Sequence, residues 1–136
     1  VRGRWLLPSF LPRAALFRLE PPAWFLRRYL LGDDATDEDV AGLRKVIAQV
    51  SPAVLARRAR ETLAVDVVEA FRRVDVPVLV VAASADRVVP ARAFEDFARC
   101  KPEAERVVLE GPHLLLQRRR VQAAREIVRF LEARGR

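Results

Sequence analysis

The chain has 136 residues, 51% of them hydrophobic and 32% charged, with 9 Pro and 5 Gly, which excludes a disordered or collagen-like chain and fits one ordinary domain. Its net charge is +7, but Lys45 and Lys101 are the only lysines and the arginines are spread along the whole chain, so the charge singles out no nucleic-acid partner. One cysteine, Cys100, excludes an intrachain disulfide. With one histidine, His113, it also excludes a Cys/His zinc site of the usual tetrahedral kind, and the expected setting is reducing and cytoplasmic.

The longest uncharged run at the start, residues 5–12, is broken by Pro8 and flanked by Arg4 and Arg13. It falls far short of the roughly 20 apolar residues that cross a bilayer, so no transmembrane segment is expected. No small-residue cleavage pattern follows it, so no signal peptide is expected either. The chain contains no Met, position 1 included, which suggests a sequence that starts inside a longer one.

Trp5, Leu6, Leu7, Phe10, Leu11, Leu16, Phe17 and Leu19 form an aromatic and Leu-rich opening segment interrupted by Pro8 and Pro12. A second helical segment starts at Pro21-Pro22, carries Trp24, Phe25, Leu26, Tyr29, Leu30 and Leu31, and ends at Gly32-Asp33-Asp34. Thr36 has the chemistry of an N-cap, and Asp37, Glu38 and Asp39 follow in a first turn where the helix dipole favours negative charge. Val40, Leu43, Ile47 and Val50 then recur at helical spacing. Ser51-Pro52 opens a further helix to about Ala64, since Ser caps and Pro tolerates the first helical position. Asp66 is placed to cap a short one through Phe71.

Near residue 75 the period changes. Val78-Leu79-Val80-Val81-Ala82-Ala83, behind Pro77, is the continuous apolar and β-branched run of a strand buried on both faces of a parallel sheet. Arg106-Val107-Val108-Leu109 is a second, shorter strand, and between them Pro90-Ala91 opens a helix with Phe94, Phe97 and Ala98 on one side. Residues 78–109 thus form a strand, helix, strand crossover. Val121, Ala124, Ile127, Val128 and Leu131 make a closing amphipathic helix. Two short parallel strands leave unpaired backbone at each edge, so further strands are expected to complete the sheet.

Asp86 lies just past the first strand and His113 just past the second. Parallel strands end at the same edge of a sheet and neighbours sit about 4.8 Å apart, so loops leaving adjacent strands can bring a carboxylate to an imidazole. Such a carboxylate fixes the histidine tautomer and stabilises imidazolium, the orienting role in a nucleophile, histidine and acid triad. Glu110 is an alternative partner closer in sequence, and without the strand pairing His113 would be a solvent-facing or capping residue after a Gly-Pro turn.

Three stretches carry a resemblance: Val76 to Pro90 with its Ala83-Ser84-Ala85-Asp86-Arg87-Val88-Val89-Pro90 loop, Leu109-Glu110-Gly111-Pro112-His113-Leu114-Leu115-Leu116-Gln117, and Ile127-Val128-Arg129-Phe130-Leu131. Together they resemble the end of α/β-hydrolase-fold proteins, in which the triad runs in the chain order Ser, acid, His. The branch that looks closest is that of bacterial carboxylesterases, including pimeloyl-carrier-protein methyl ester esterases. The resemblance implies an α/β fold in which residues 1–72 form a helical cap and residues 73–136 the C-terminal part of the core, with two parallel strands and flanking helices. It implies Asp86 as the acid, His113 as the base and a small-molecule acyl substrate, with no cofactor and no metal. The position before the acid loop that usually holds Gly is Ala83.

No Gly-x-Ser-x-Gly elbow is present, and Ser9, Ser51 and Ser84 sit in contexts that cannot make its strand-to-helix turn. The chain taken alone is therefore expected to be inactive, with the nucleophile supplied by a missing N-terminal core segment or a partner chain. The alternative is a non-catalytic, partner-binding fragment or a subunit of a split hydrolase, binding through its apolar face and sheet edge. Cys100 ends a surface helix and is expected to be incidental. Arg118-Arg119-Arg120 is expected to be a solvated helix start. The stripe over residues 5–31 is expected to be cap core with some pocket lining.

Overall fold

The structure, a computed structural model, describes residues 16–135. Most of the expected opening segment lies outside the described residues, and its end is a 3-10 turn, Leu16–Arg18. Pro22, with extended backbone, caps the short helix α1 (Ala23–Leu26), which widens into a π-helical turn, Arg27–Leu31. Gly32 ends it at φ 92° and ψ 158°, a backbone region essentially reserved for Gly. A Cβ at Gly32 would also approach Pro112 Cγ to 3.3 Å, beside His113. Gly32→Ala is accordingly expected to lower stability by about 1–3 kcal/mol, read as a lower urea midpoint.

Helix α2 (Asp37–Ala48) begins with the cap its sequence predicts. Thr36 Oγ1 accepts from the Asp39 N–H at 3.2 Å, and the Thr36 N–H donates to Asp39 Oδ2 at 2.8 Å, a reciprocal capping box. Thr36→Ala breaks one half of that box and is expected to cost about 1 kcal/mol in thermal or urea unfolding. Helix α3 (Pro52–Ala64) starts on Ser51, whose hydroxyl accepts from the Val54 N–H. Asp66 does accept from the Val68 N–H at 3.2 Å, but Val67 holds the N-cap position of the short helix α4 (Val68–Arg72).

Strand β1 (Leu79–Ala83), helix α5 (Ala91–Cys100) and strand β2 (Glu105–Leu109) form the predicted crossover. Among the described residues the two strands pair in parallel, from Leu79 opposite Glu105 to Ala83 opposite Leu109. Helices α6 (Leu115–Arg118) and α7 (Arg120–Glu132) follow, giving a mixed α/β arrangement among the described residues. No local sequence pattern marks Lys101. It is buried between α5 and β2, where Nζ donates to the Val74 carbonyl and to Glu103, both at 2.6 Å.

The hydrophobic core lies under the π-helical turn. Leu26 is fully buried among Leu31, Ala35 and Val40, and Leu30, Leu43, Ile47 and Leu114 pack against them. Leu114 is the neighbour of His113, so this cluster supports the second loop directly.

Two expectations about the core are corrected. The apolar run of β1 predicts burial on both faces, and among the described residues all five of its residues are half-buried, with one neighbouring strand, β2, beside them. Helix α7 was expected to bury Val121, Ala124, Ile127, Val128 and Leu131. It instead turns Ala123 and Phe130 inward and leaves Val121, Val128 and Leu131 at 53%, 49% and 59% exposure. The helix is apolar on two sides, and the two strands it packs on can cover only one of them.

Candidate functional site

Both candidate residues leave the same edge of the sheet. The Ser84 N–H donates to the Leu109 carbonyl at 2.9 Å, and the Ala85 N–H to the Gly111 carbonyl at 3.0 Å, so the loops after β1 and β2 continue to pair beyond the strands. That pairing brings the side chains together. Asp86 Oδ2 lies 2.9 Å from His113 Nδ1, with the two side chains 15% and 29% exposed.

The carboxylate is held from both ends. Asp86 Oδ1 accepts from the Val88 and Val89 N–H groups, each at 2.8 Å, closing the turn that leads to Pro90 and α5. Oδ2 is thereby aimed at the imidazole. A carboxylate only accepts, so Nδ1 carries the hydrogen and Nε2 is the basic nitrogen of the ring. Glu110, the alternative partner, is exposed, and the structure pairs His113 with Asp86 instead.

The histidine loop is anchored on its other side too. The Leu114 N–H donates to the Leu30 carbonyl at 2.9 Å. Arg87, next to Asp86, donates from Nη1 to the Arg28 carbonyl and to Asp33 Oδ1, and from Nη2 to Asp33 Oδ2 at 3.1 Å. Residues 28–33 therefore hold both loops. No local sequence pattern links Arg87 to Asp33, 54 positions away.

The arginine run is also corrected. Arg118 and Arg119 are not a solvated helix start: Arg118 binds Asp39 Oδ2 at 2.5 Å and Arg119 binds Asp34 Oδ2 at 3.2 Å. Their side chains are only 15% and 28% exposed, paired with Asp34 before α2 and Asp39 in its first turn. Arg120 alone of the three is exposed.

The Arg119 hydrogen bond holds the Asp34 carboxyl below the usual carboxylate range, helped by the charge of Arg118 and opposed by desolvation. Asp39 is also held low, first by the Thr36 backbone N–H, then by the Thr36 hydroxyl and Arg118. A carboxylate depressed in the folded state contributes stability above its unfolded value, near pH 3.9, and loses it as pH falls through the lower folded value. The melting temperature is expected to be flat above about pH 5 and to fall below about pH 4, less steeply in Asp34→Asn.

A trough of about 670 Å³ runs along β1, with Asp86 and His113 in its wall and Phe94, Phe97, Ile127 and Phe130 among its apolar lining. Ser51 caps α3, Ser84 follows β1 in an exposed turn, and Ser9 lies outside the described residues. Cys100 ends α5, half-buried. Among the described residues no group of His, Cys, Asp and Glu side chains is arranged to hold a metal ion, and no helix is long and apolar enough to cross a membrane. Compared with known proteins, the chain matches no protein-family model and no curated protein.

Proposed function

We propose that the chain carries the acid and the base of an α/β-hydrolase acting on a carboxylic ester or related acyl substrate. The observation that carries this reading is the 2.9 Å contact between Asp86 Oδ2 and His113 Nδ1, with the other carboxylate oxygen held by two backbone N–H groups. Such a pair does nothing useful alone. Its chemistry requires a nucleophile within reach of Nε2, and a serine supplied by another segment completes it. The serine attacks the acyl carbon, Nε2 takes its proton and returns it to the leaving alkoxide, and Asp86 stabilises the imidazolium between the two transfers.

The half-bare β1 and the open trough beside it support a core completed by further strands. In this reading the helices before β1 form a cap over the substrate. The exposed apolar side of α7 favours a second reading, in which a separate chain supplies the missing layer and the protein is one part of a split hydrolase or a binding subunit.

The coding sequence ahead of Val1 tests the first reading. An in-frame Gly-x-Ser-x-Gly between a strand pattern and a helix pattern is the expected result. A stop codon immediately upstream, with a short chain that folds as a stable monomer, overturns it.

A further inference from the structure

Asp86 and His113 are not aligned by the sheet alone. The loop after β1 and the loop after β2 meet a third element, residues 28–33, which lies outside the crossover that carries them. The Leu30 carbonyl holds the His113 loop through the Leu114 N–H, and the Arg28 carbonyl and Asp33 carboxylate hold the Asp86 loop through Arg87. The Arg87 contact has the fork geometry in which two guanidinium nitrogens face two carboxylate oxygens, which fixes orientation as well as distance.

Resting on the hydrolase reading above, we propose that Arg87 is a positioning residue: by clamping Asp33 and the Arg28 carbonyl it tunes how the Asp86 carboxylate sits against His113 Nδ1. The helical segment ahead of α2 thereby reports its position to the acid–base pair. Among the described residues no hydrogen bond joins Arg87 to the imidazole or to the Asp86 carboxylate, so its effect passes through the backbone of the turn. Both partners are near the surface, with side chains 35% and 69% exposed, so the clamp tunes the alignment and does not create it.

His113 is the only histidine, so the imidazole nitrogen signals of the full chain belong to one residue. Long-range proton–nitrogen spectra at about pH 8.5, above the usual imidazole range, report which nitrogen carries the hydrogen. Asp86→Asn serves as the reference and is expected to abolish the Nδ1–H pattern. In Arg87→Gln the Nε2–H tautomer is expected to rise by up to about fivefold, the most that an exposed pair of this kind supplies. Asp33→Asn, which removes the same contact from the other side, is expected to move the signals in the same direction. Raising the salt concentration is expected to shift the native protein toward the Arg87→Gln spectrum and to leave that variant unmoved.

Arg87→Gln signals that coincide with those of the native protein, while Asp86→Asn still changes them, overturn the clamp and leave the pair intact. Signals unchanged in Asp86→Asn as well overturn the hydrolase reading itself.

Discussion

Asp86→Asn, in the chain joined to a segment that supplies the serine of the proposed hydrolase, is expected to lower kcat for ester hydrolysis by about 10⁴-fold. The size of the effect follows from where the two carboxylate oxygens are held. Oδ1 accepts from the Val88 and Val89 N–H groups, and an asparagine keeps those bonds by placing its carbonyl oxygen there. Its NH₂ group then faces His113 Nδ1 in place of an acceptor. The ring is forced into the tautomer with hydrogen on Nε2, and Nε2 can no longer take a proton from a serine. The turn, the strands and the substrate surface remain, so KM is expected to change little. Asp86→Ala differs in a useful way, because it also removes the acceptor that closes the turn and is expected to lower stability. Steady-state kinetics on p-nitrophenyl acyl esters, with unfolding midpoints of both variants, separates the two effects. An Asp86→Asn enzyme of near-native kcat would remove the orienting role from Asp86.

Leu26→Ala is expected to destabilise the protein by about 2–5 kcal/mol. Leu26 is completely buried, and it touches the cluster from α1 through Leu31, Ala35 and Val40. Its loss leaves a cavity under the π-helical turn, whose Leu30 carbonyl and Arg28 carbonyl hold the two site loops. For a domain whose whole stability is of order 5–15 kcal/mol, that is a large share. Trp24, two residues away, is the control. It is 65% exposed, with its ring edge-on to Phe25, and Trp24→Ala is expected to change stability by no more than about 0.5 kcal/mol. Urea midpoints measure both, and equal losses would contradict the placement of the core.

The parts of the fold legible in the sequence are those set by neighbours in the chain. The Thr36 cap, the Ser51-Pro52 start and the apolar run of β1 depend on residues a few positions apart, and each element forms where its pattern predicts. The meeting of Asp86 and His113 was also legible despite the 27 positions between them, because strands paired in parallel must release their loops at one edge. Long-range charge pairing was not legible. Asp34 and Arg119 are 85 positions apart, and an arginine run looks the same in sequence whether water or carboxylates surround it. The buried side of α7 was missed for a different reason. Apolar residues at 121, 124, 128 and 131 make a helical stripe as regular as Ala123 and Phe130, and periodicity cannot choose between two stripes when only one finds a surface to pack on.

The exposed stripe and the half-bare strand leave room for a further layer, and under the proposed hydrolase reading the Asp86–His113 pair takes its nucleophile from that layer. One measurement tests both. Hydrolysis of p-nitrophenyl acyl esters is compared between the chain alone, the chain joined to any in-frame segment encoded ahead of Val1, and the joined protein with His113→Ala. Activity confined to the joined protein, and reduced by at least about 10⁴-fold in His113→Ala, is the predicted result. Turnover that survives the loss of His113, or a joined protein that folds and hydrolyses no acyl substrate, would contradict the assignment of Asp86 and His113 as a catalytic pair.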